Sequence, residues 1–269
     1  MTGSVAIVGA GAMGSGVARL CLEAGLSVRL ADRSPDALAR GVDLVRSRHA
    51  EVADRIVGMG VDEALIDCSV VVDATPQIAA EKQSIVRRAV ELAPREALIG
   101  TITLGLPLER IDPDHDAQAR LVGLHFMNPP HRLRFCELVT RRDVSAANVR
   151  AAADFLDNLG VRHVRVKDVA GFILNRMLIP FLFDAARAVD AGLGAARDVD
   201  LTFTAGCGHP MGPLSILDLI GLDVAVALGD AMVSETGDVA RFEPPALLRR
   251  MALAGERFDV RPVQVAPTT

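Results

Sequence analysis

Over residues 1–168, short β-branched runs alternate with stretches of helical period; beyond that point only the helical pattern continues. The run Val5-Ala6-Ile7-Val8 is too short for a helix and predicts a buried strand. Apolar runs at 28–31, 70–73, 97–103, 121–125, 135–139 and 161–166 predict further strands. Between them, Met13, Val17, Leu20 and Cys21 recur at helical spacing. Ser145 reads as an N-cap and Gly160 as the stop of a helix through Ala151, Phe155 and Leu156. This alternation predicts a doubly wound α/β sheet. Residues 172–191 predict one long apolar helix, kinked where Pro180 removes a backbone donor. The chain therefore divides into 1–168 and an all-helical 169–269. The later helices are apolar on more than one face, which favours a homodimer that hides them.

The first strand turns into Gly9-Ala10-Gly11-Ala12-Met13-Gly14, and Asp32 closes the second. A turn of this kind grips a dinucleotide. Gly9 permits the tight strand-to-helix turn, Gly11 the approach of a pyrophosphate, and Gly14 close packing of helix on strand. The phosphates sit at the helix start, where Ala12 and Met13 lie, on free N–H groups and the positive end of the dipole. Asp32 can accept both hydroxyls of an adenosine ribose and repels a 2′-phosphate, which selects NAD. Arg33 follows it and could bind that phosphate, which leaves NADP open. The motif, with a strand before it and a helix after it, implies a Rossmann NAD-binding domain over 1–168.

Composition narrows the remainder. The chain has 269 residues, ample for a buried core, with a formal charge of −5 and a pI near 5.7. That balance argues against a general nucleic-acid binder. Half of the residues are apolar, yet no uninterrupted run has the length of a bilayer span. Met1-Thr2-Gly3-Ser4 leads straight into the first strand, so a cytoplasmic chain without a secretory leader is expected. Cys21, Cys68, Cys136 and Cys207 lack metal or disulfide spacing, which predicts reduced thiols and no metal site.

Candidate chemistry lies in Gly123-Leu124-His125-Phe126-Met127-Asn128-Pro129-Pro130, at a strand end, where open α/β sheets bind ligands. The chain reads as strand again at Glu137, after a Pro-containing loop. Two strands joined in this way can bring an imidazole and a carboxylate together. Alcohol oxidation needs such a pair: a neutral imidazole takes the hydroxyl proton, and the carboxylate fixes its tautomer and stabilises the imidazolium. Read alone, a strand-end His is more often structural. Asn128 reads either as a donor to an alkoxide or thioester carbonyl, or as a turn residue before Pro129. Asn175, just inside an apolar helix, needs a partner, either substrate or a loop carbonyl. His209 sits in a rigid turn and reads as structural, whereas His131 lies in a polar loop facing solvent or a ligand phosphate. His49, His115 and His163 have no pattern that recommends them.

Several blocks occur together in one order. They are the Gly9–Gly14 turn, His125-Phe126-Met127-Asn128-Pro129, Glu137-Leu138-Val139, Asp168-Val169-Ala170-Gly171-Phe172-Ile173-Leu174-Asn175-Arg176 and Gly208-His209-Pro210-Met211-Gly212-Pro213-Leu214. Through them the chain resembles, over almost its whole length, the 3-hydroxyacyl-CoA dehydrogenase family, short bacterial 3-hydroxybutyryl-CoA dehydrogenases included. The resemblance implies NAD-dependent oxidation of the 3-hydroxyl of a short hydroxyacyl thioester. It further implies that His125 and Glu137 form the catalytic pair and that Asn128 and Asn175 position substrate. Thr75, Pro76 and Gln77 would border the cofactor, and the helical domain would form the dimer.

Three departures from the family bear on the substrate. Leu104 stands where the family has a substrate-contacting Ser, so a hydroxyl is lost unless Thr101 or Thr103 replaces it. Gln77 stands where the family commonly has a Glu near the nicotinamide ribose. The stretch 32–73 is shorter than the family's, which there carries a helical hairpin that helps hold coenzyme A. The chain's end around Arg257, Arg261 and Pro262 also lacks the family's Gly-Lys-Gly-aromatic finish. A phosphopantetheine arm on a carrier protein needs only a channel and a basic docking surface. Arg87, Arg88, Arg132, Arg134, Arg141 and Arg142 offer that charge. An acyl-carrier-protein substrate is therefore slightly favoured over free coenzyme A, for example a glyceryl thioester for hydroxymalonyl or methoxymalonyl units. Two rival readings are a redox-inactive NAD-binding sensor and a 2-hydroxy acid dehydrogenase. The second would want Arg132 or Arg134 on a free carboxylate.

Overall fold

Strand register is set by alternation: in β1 (Ser4–Val8), Val5 and Ile7 face one apolar layer while Ala6 and Val8 face the other. The computed structural model describes residues 3–48 and 50–260; His49, Arg261 and Pro262 lie outside the described residues. The chain divides between Phe172 and Ile173 into two compact units.

In the first unit β1 leads to α1 (Ala12–Glu23), β2 (Ser27–Ala31), α2 (Pro35–Arg48), β3 (Ile56–Met59), α3 (Val61–Leu65), β4 (Val70–Asp73) and α4 (Ala79–Leu92). Then follow β5 (Leu98–Ile102), α5 (Leu108–Ile111), β6 (Leu121–Phe126), α6 (Pro130–Leu133), β7 (Phe135–Thr140), α7 (Ala146–Asn158) and β8 (Arg162–Lys167). The strands form one eight-stranded sheet in the order β3-β2-β1-β4-β5-β6-β7-β8. All pairings are parallel except β6 with β7. Because β1 lies between β2 and β4, the order reverses there and opens a crevice at the strands' C-terminal ends.

Two details differ from the sequence pattern. β3 is a strand that the apolar pattern does not show: of Ile56-Val57-Gly58-Met59 only Ile56 is buried, too little signal for a four-residue edge strand. The 129–134 segment contains the short helix α6, begun by Pro130 at its first position, rather than loop alone. In keeping with the short 32–73 stretch, only a 3₁₀ segment, Ala50–Arg55, lies between α2 and β3, where a hairpin would need a second helix. Phe172, the last residue of the first unit, is buried in the sheet layer that holds Val139 and Val166. Ser145 caps α7 as its side chain accepts from Asn148 N–H. On the outer strand β8, the exposed Arg162, Arg165 and Lys167 discourage pairing with another chain's edge.

The second unit is helical: α8 (Leu174–Asp190), α9 (Ala196–Leu201), α10 (Pro213–Ile220), α11 (Leu222–Thr236), α12 (Val239–Phe242) and α13 (Ala246–Ala254), with a π-helical segment Thr202–Gly206 after α9. α8 packs on α10 and α11 around buried Ile179, Leu182, Phe183, Leu214, Leu217 and Met232. Asp200 of α9 caps α10, taking Leu214 N–H at 2.7 Å and Ser215 N–H at 3.0 Å. Gly212 makes room for that cap, since a Cβ there would lie 2.2 Å from the Asp200 carboxyl carbon. Met177, Leu219 and Leu253 remain exposed in this unit. Among the described residues no helix is long and apolar enough to cross a membrane, and no group of three or more His, Cys, Asp or Glu could hold a metal.

Candidate active site

The turn from β1 into α1 needs its glycines for reasons visible in the backbone. Gly9 has φ +111°, and a Cβ there would meet the Ala74 carbonyl oxygen at 2.5 Å. A Cβ on Gly14 would lie 1.8 Å from the Gly9 carbonyl oxygen, so any side chain would push α1 away. Gly11 has nothing within 4 Å of its Cβ position and lies open on the side where a pyrophosphate would approach. Asp32, at the end of β2, stiffens the turn: one carboxylate oxygen accepts from Ala10 N–H at 2.8 Å and the other from Ser34 N–H at 2.9 Å. A cavity of about 390 Å³ opens beside it, with Asp32, Arg33, Thr75, Pro76, Glu81 and Ile85 among its walls. These features fit a dinucleotide, with phosphates on the glycine turn and the adenosine ribose at Asp32.

Arg33 reaches Glu81 across this cavity at 3.0 Å. Its charge is thus matched by a carboxylate, and with Asp32 alongside a 2′-phosphate meets two anions. Glu81→Gln is expected to tighten NADPH binding two- to fivefold, roughly the scale of an exposed ion pair, with NADH unchanged. Paired fluorescence titrations with the two reduced cofactors check this.

A buried ion pair that the sequence did not signal lies beneath the next turn. Lys82 Nζ stands 3.1 Å from Asp73 Oδ2, and both side chains are wholly buried. Thr101 of β5 donates its hydroxyl to the same oxygen at 2.7 Å. The other Asp73 oxygen takes Thr75 N–H at 2.9 Å and the Thr75 hydroxyl at 2.5 Å. Burial pulls the Lys82 ammonium below its usual range, and Asp73 pulls it partly back.

At the far side of the crevice the antiparallel register sets His125 of β6 directly opposite Glu137 of β7. Opposed residues share a face of the sheet, so the two side chains meet. His125 Nδ1 lies 2.7 Å from Glu137 Oε2, with the residues 3% and 1% exposed. Phe172 packs near the imidazole, with ring centroids 5.5 Å apart. Such an imidazole is turned by its carboxylate and shielded from water by an aromatic ring. It can therefore present the other nitrogen to a substrate proton.

The other candidates separate. Asn128 is exposed just past β6, whereas Asn175 is buried in the first turn of α8, in the second unit. Gln77 spends its amide on the backbone of Ile102 and Leu104. Neither threonine offers its hydroxyl to replace the missing Ser: Thr101 donates to Asp73, and Thr103 donates to the Leu106 carbonyl at 2.9 Å. His131 is half-buried on α6, its Nδ1 has no hydrogen-bond partner among the described residues, and desolvation lowers its pKa. His209 is exposed and lies at a tilt beside Phe203 and Phe181, with ring centroids 5.5 and 6.2 Å away. His115 bonds Asp143 at 2.9 Å.

The arginine surface is largely matched by acids. Arg87 pairs with Asp114, Arg88 with Asp62 and Glu91, Arg134 with Glu23, and Arg141 with Asp112. Four of the six guanidinium groups proposed for a carrier protein are therefore partnered within the chain. Burial also raises the thiols of Cys21, Cys68 and Cys136, which makes them poor nucleophiles.

Comparison with known proteins points one way. Residues 4–169 match the NAD-binding domain of 3-hydroxyacyl-CoA dehydrogenase, and residues 171–258 match its C-terminal domain. A 3-hydroxybutyryl-CoA dehydrogenase of Mycobacterium tuberculosis is 32% identical over 268 residues, covering 94% of this chain and 93% of that protein. A probable 3-hydroxybutyryl-CoA dehydrogenase of Bacillus subtilis is 28% identical, covering 93% and 92%. The crystal structure of (S)-3-hydroxybutyryl-CoA dehydrogenase from Ralstonia eutropha superposes with a TM-score of 0.87 at 29% identity, covering 94% of each chain.

Proposed function

The chain belongs to the 3-hydroxyacyl-CoA dehydrogenase family, and on that premise we propose that it oxidises the 3-hydroxyl of a short 3-hydroxyacyl-CoA, with His125 as the base. It is an NAD-dependent oxidoreductase with a Rossmann domain and a helical C-terminal domain. The buried His125–Glu137 pair is the observation that carries the proposal. Glu137 accepts a hydrogen bond from Nδ1–H, which keeps the ring proton on Nδ1 and leaves Nε2 able to take the hydroxyl proton. The same carboxylate then offsets the imidazolium charge in a site with little water. NAD, when bound, supplies the acceptor for the hydrogen that leaves the carbinol carbon.

In this proposal Gly9, Gly11, Ala12, Met13 and Gly14 hold the pyrophosphate and Asp32 the adenosine ribose, with Arg33, Thr75 and Pro76 along the cofactor's border and Gln77 turned to the loop after β5. The amides of Asn128 and Asn175 hold the thioester or alkoxide oxygen. The exposed apolar side chains of the second unit support self-association as a homodimer. Retention of both members of the pair speaks against a redox-inactive sensor, which has no use for them. Arg134 is engaged with Glu23 and the Leu159 carbonyl, which disfavours it as the grip on a free carboxylate that a 2-hydroxy acid would need.

The names of the relatives and the acid-matched arginines support coenzyme A as the carrier of the acyl group. A carrier-protein substrate is the second reading, favoured by the single 3₁₀ segment where a hairpin helix would stand. NAD reduction is measured with one hydroxybutyryl group on coenzyme A and on an acyl carrier protein. Faster turnover of the coenzyme A thioester is the expected result. Faster turnover on the carrier protein reverses the choice and leaves the dehydrogenase in place.

A further inference from the structure

Gln77 lies between β4 and α4, and both ends of its side chain are used by the loop after β5. Its Nε2 donates to the Ile102 carbonyl at 3.1 Å, and its Oε1 accepts from Leu104 N–H at 3.1 Å. That loop starts beside the base: Thr103 N–H donates to the carbonyl of Leu124, the residue before His125, at 3.4 Å. The bend of the loop is held from within, the Thr103 hydroxyl donating to Leu106 and accepting from Gly105 N–H at 3.2 Å. Gln77's own turn is anchored underneath, where Asp73 takes both Thr75 donors and the Thr101 hydroxyl. The cofactor turn and the loop beside the base are thus joined twice, through a buried carboxylate and through an exposed amide. Only an amide serves the outer link. A carboxylate at position 77 would still accept from Leu104 but would face the Ile102 carbonyl with a lone pair.

We propose that Gln77 is a positioning residue for the thioester. It sets the Thr103–Leu106 loop, Leu104 included, against His125, and its loss falls on thioester recognition and not on NAD binding. The inference rests on the thioester reading above. Gln77→Ala and Gln77→Glu are compared with the wild-type protein for thioester KM, kcat and NADH affinity. With each neutral hydrogen bond worth about threefold, towards the low end of its range, Gln77→Ala is expected to raise thioester KM about tenfold and Gln77→Glu, which keeps one bond, about threefold. The NADH dissociation constant is expected to stay within about twofold of wild type, and kcat to fall far less than KM rises. A rise in the NADH dissociation constant with KM unmoved would place Gln77 on the cofactor and overturn the inference. Unchanged KM in both variants of an active enzyme overturns it alone. A wild-type protein that oxidises no hydroxyacyl thioester overturns it together with the reading on which it stands.

Discussion

Glu137→Gln is expected to lower kcat by about a hundredfold to ten-thousandfold while NADH still binds. The size follows from what the carboxylate does for the ring 2.7 Å away. As an acceptor without a proton of its own, it holds the hydrogen of His125 on Nδ1 and leaves Nε2 as the base. The amide of Gln can donate to Nδ1 instead, which fixes the other tautomer and turns Nε2 into a donor that cannot accept the hydroxyl proton. The imidazolium that must form in the reaction also loses its counter-charge, in a site where the residues are 3% and 1% exposed and water screens little. His125→Asn removes the base itself and should fall in the same range. Because the two side chains act as one unit, His125→Asn/Glu137→Gln should be no slower than the worse single variant. Steady-state rates at saturating thioester and NAD check all three, with NADH titration as the control for a formed cofactor site. Either single variant within tenfold of wild type would end the role of the pair; that threshold lies about tenfold under the low end of general-base catalysis.

How much of this was legible in the chain differs from residue to residue, for physical reasons. The glycine turn is legible because its demands are local: a positive φ at Gly9 and a missing Cβ at Gly14 are met by one residue type. His125 was visible as a residue type at a strand end and Glu137 as one within the next strand. Their meeting depends on antiparallel register between β6 and β7, which spacing alone leaves open and the family pattern supplies. β3 escaped because an edge strand with one buried residue carries almost no periodicity. Thr101 and Thr103 looked available because a hydroxyl does not announce its partner; Asp73 and the Leu106 carbonyl had already taken them. The arginines looked like a basic patch for the same reason, since Asp62, Asp112 and Asp114 come from other parts of the chain. Lys82 was the least legible. Lysine is ordinarily solvated, and its burial requires a particular carboxylate at the end of a neighbouring strand.

Asp73→Asn, which leaves that lysine behind, is expected to be the most destabilising single substitution in the first unit, costing about 3–5 kcal/mol. Lys82 is fully enclosed by β4, β5 and α4, and Asp73 is its counter-charge at 3.1 Å. With Asn in place, the ammonium either stays charged without a partner or gives up its proton, and both outcomes favour the unfolded chain. The second outcome sets the sign of the pH dependence. Burial already lowers the lysine's pKa in the folded protein, and losing Asp73 lowers it further. Between that value and the unfolded value near 10.4, the unfolded chain binds more protons, so the variant regains stability as pH rises. Lys82→Met should cost less, because the Asp73 carboxylate keeps two donors on Thr75 and one on Thr101. Asp73→Asn/Lys82→Met removes both charges, keeps the volume of the lysine stem, and should recover most of the loss. The chain has no Trp or Tyr, so denaturant unfolding is followed by far-ultraviolet circular dichroism, with midpoints compared at neutral and alkaline pH. An Asp73→Asn midpoint equal to wild type, or a double variant weaker than either single one, would show that the pair does not hold this layer together. The Thr75 turn offers an independent check: in Asp73→Leu/Lys82→Met the fold can recover while both Thr75 donors lose their acceptor. NADH affinity should then stay low in a protein whose unfolding midpoint has returned.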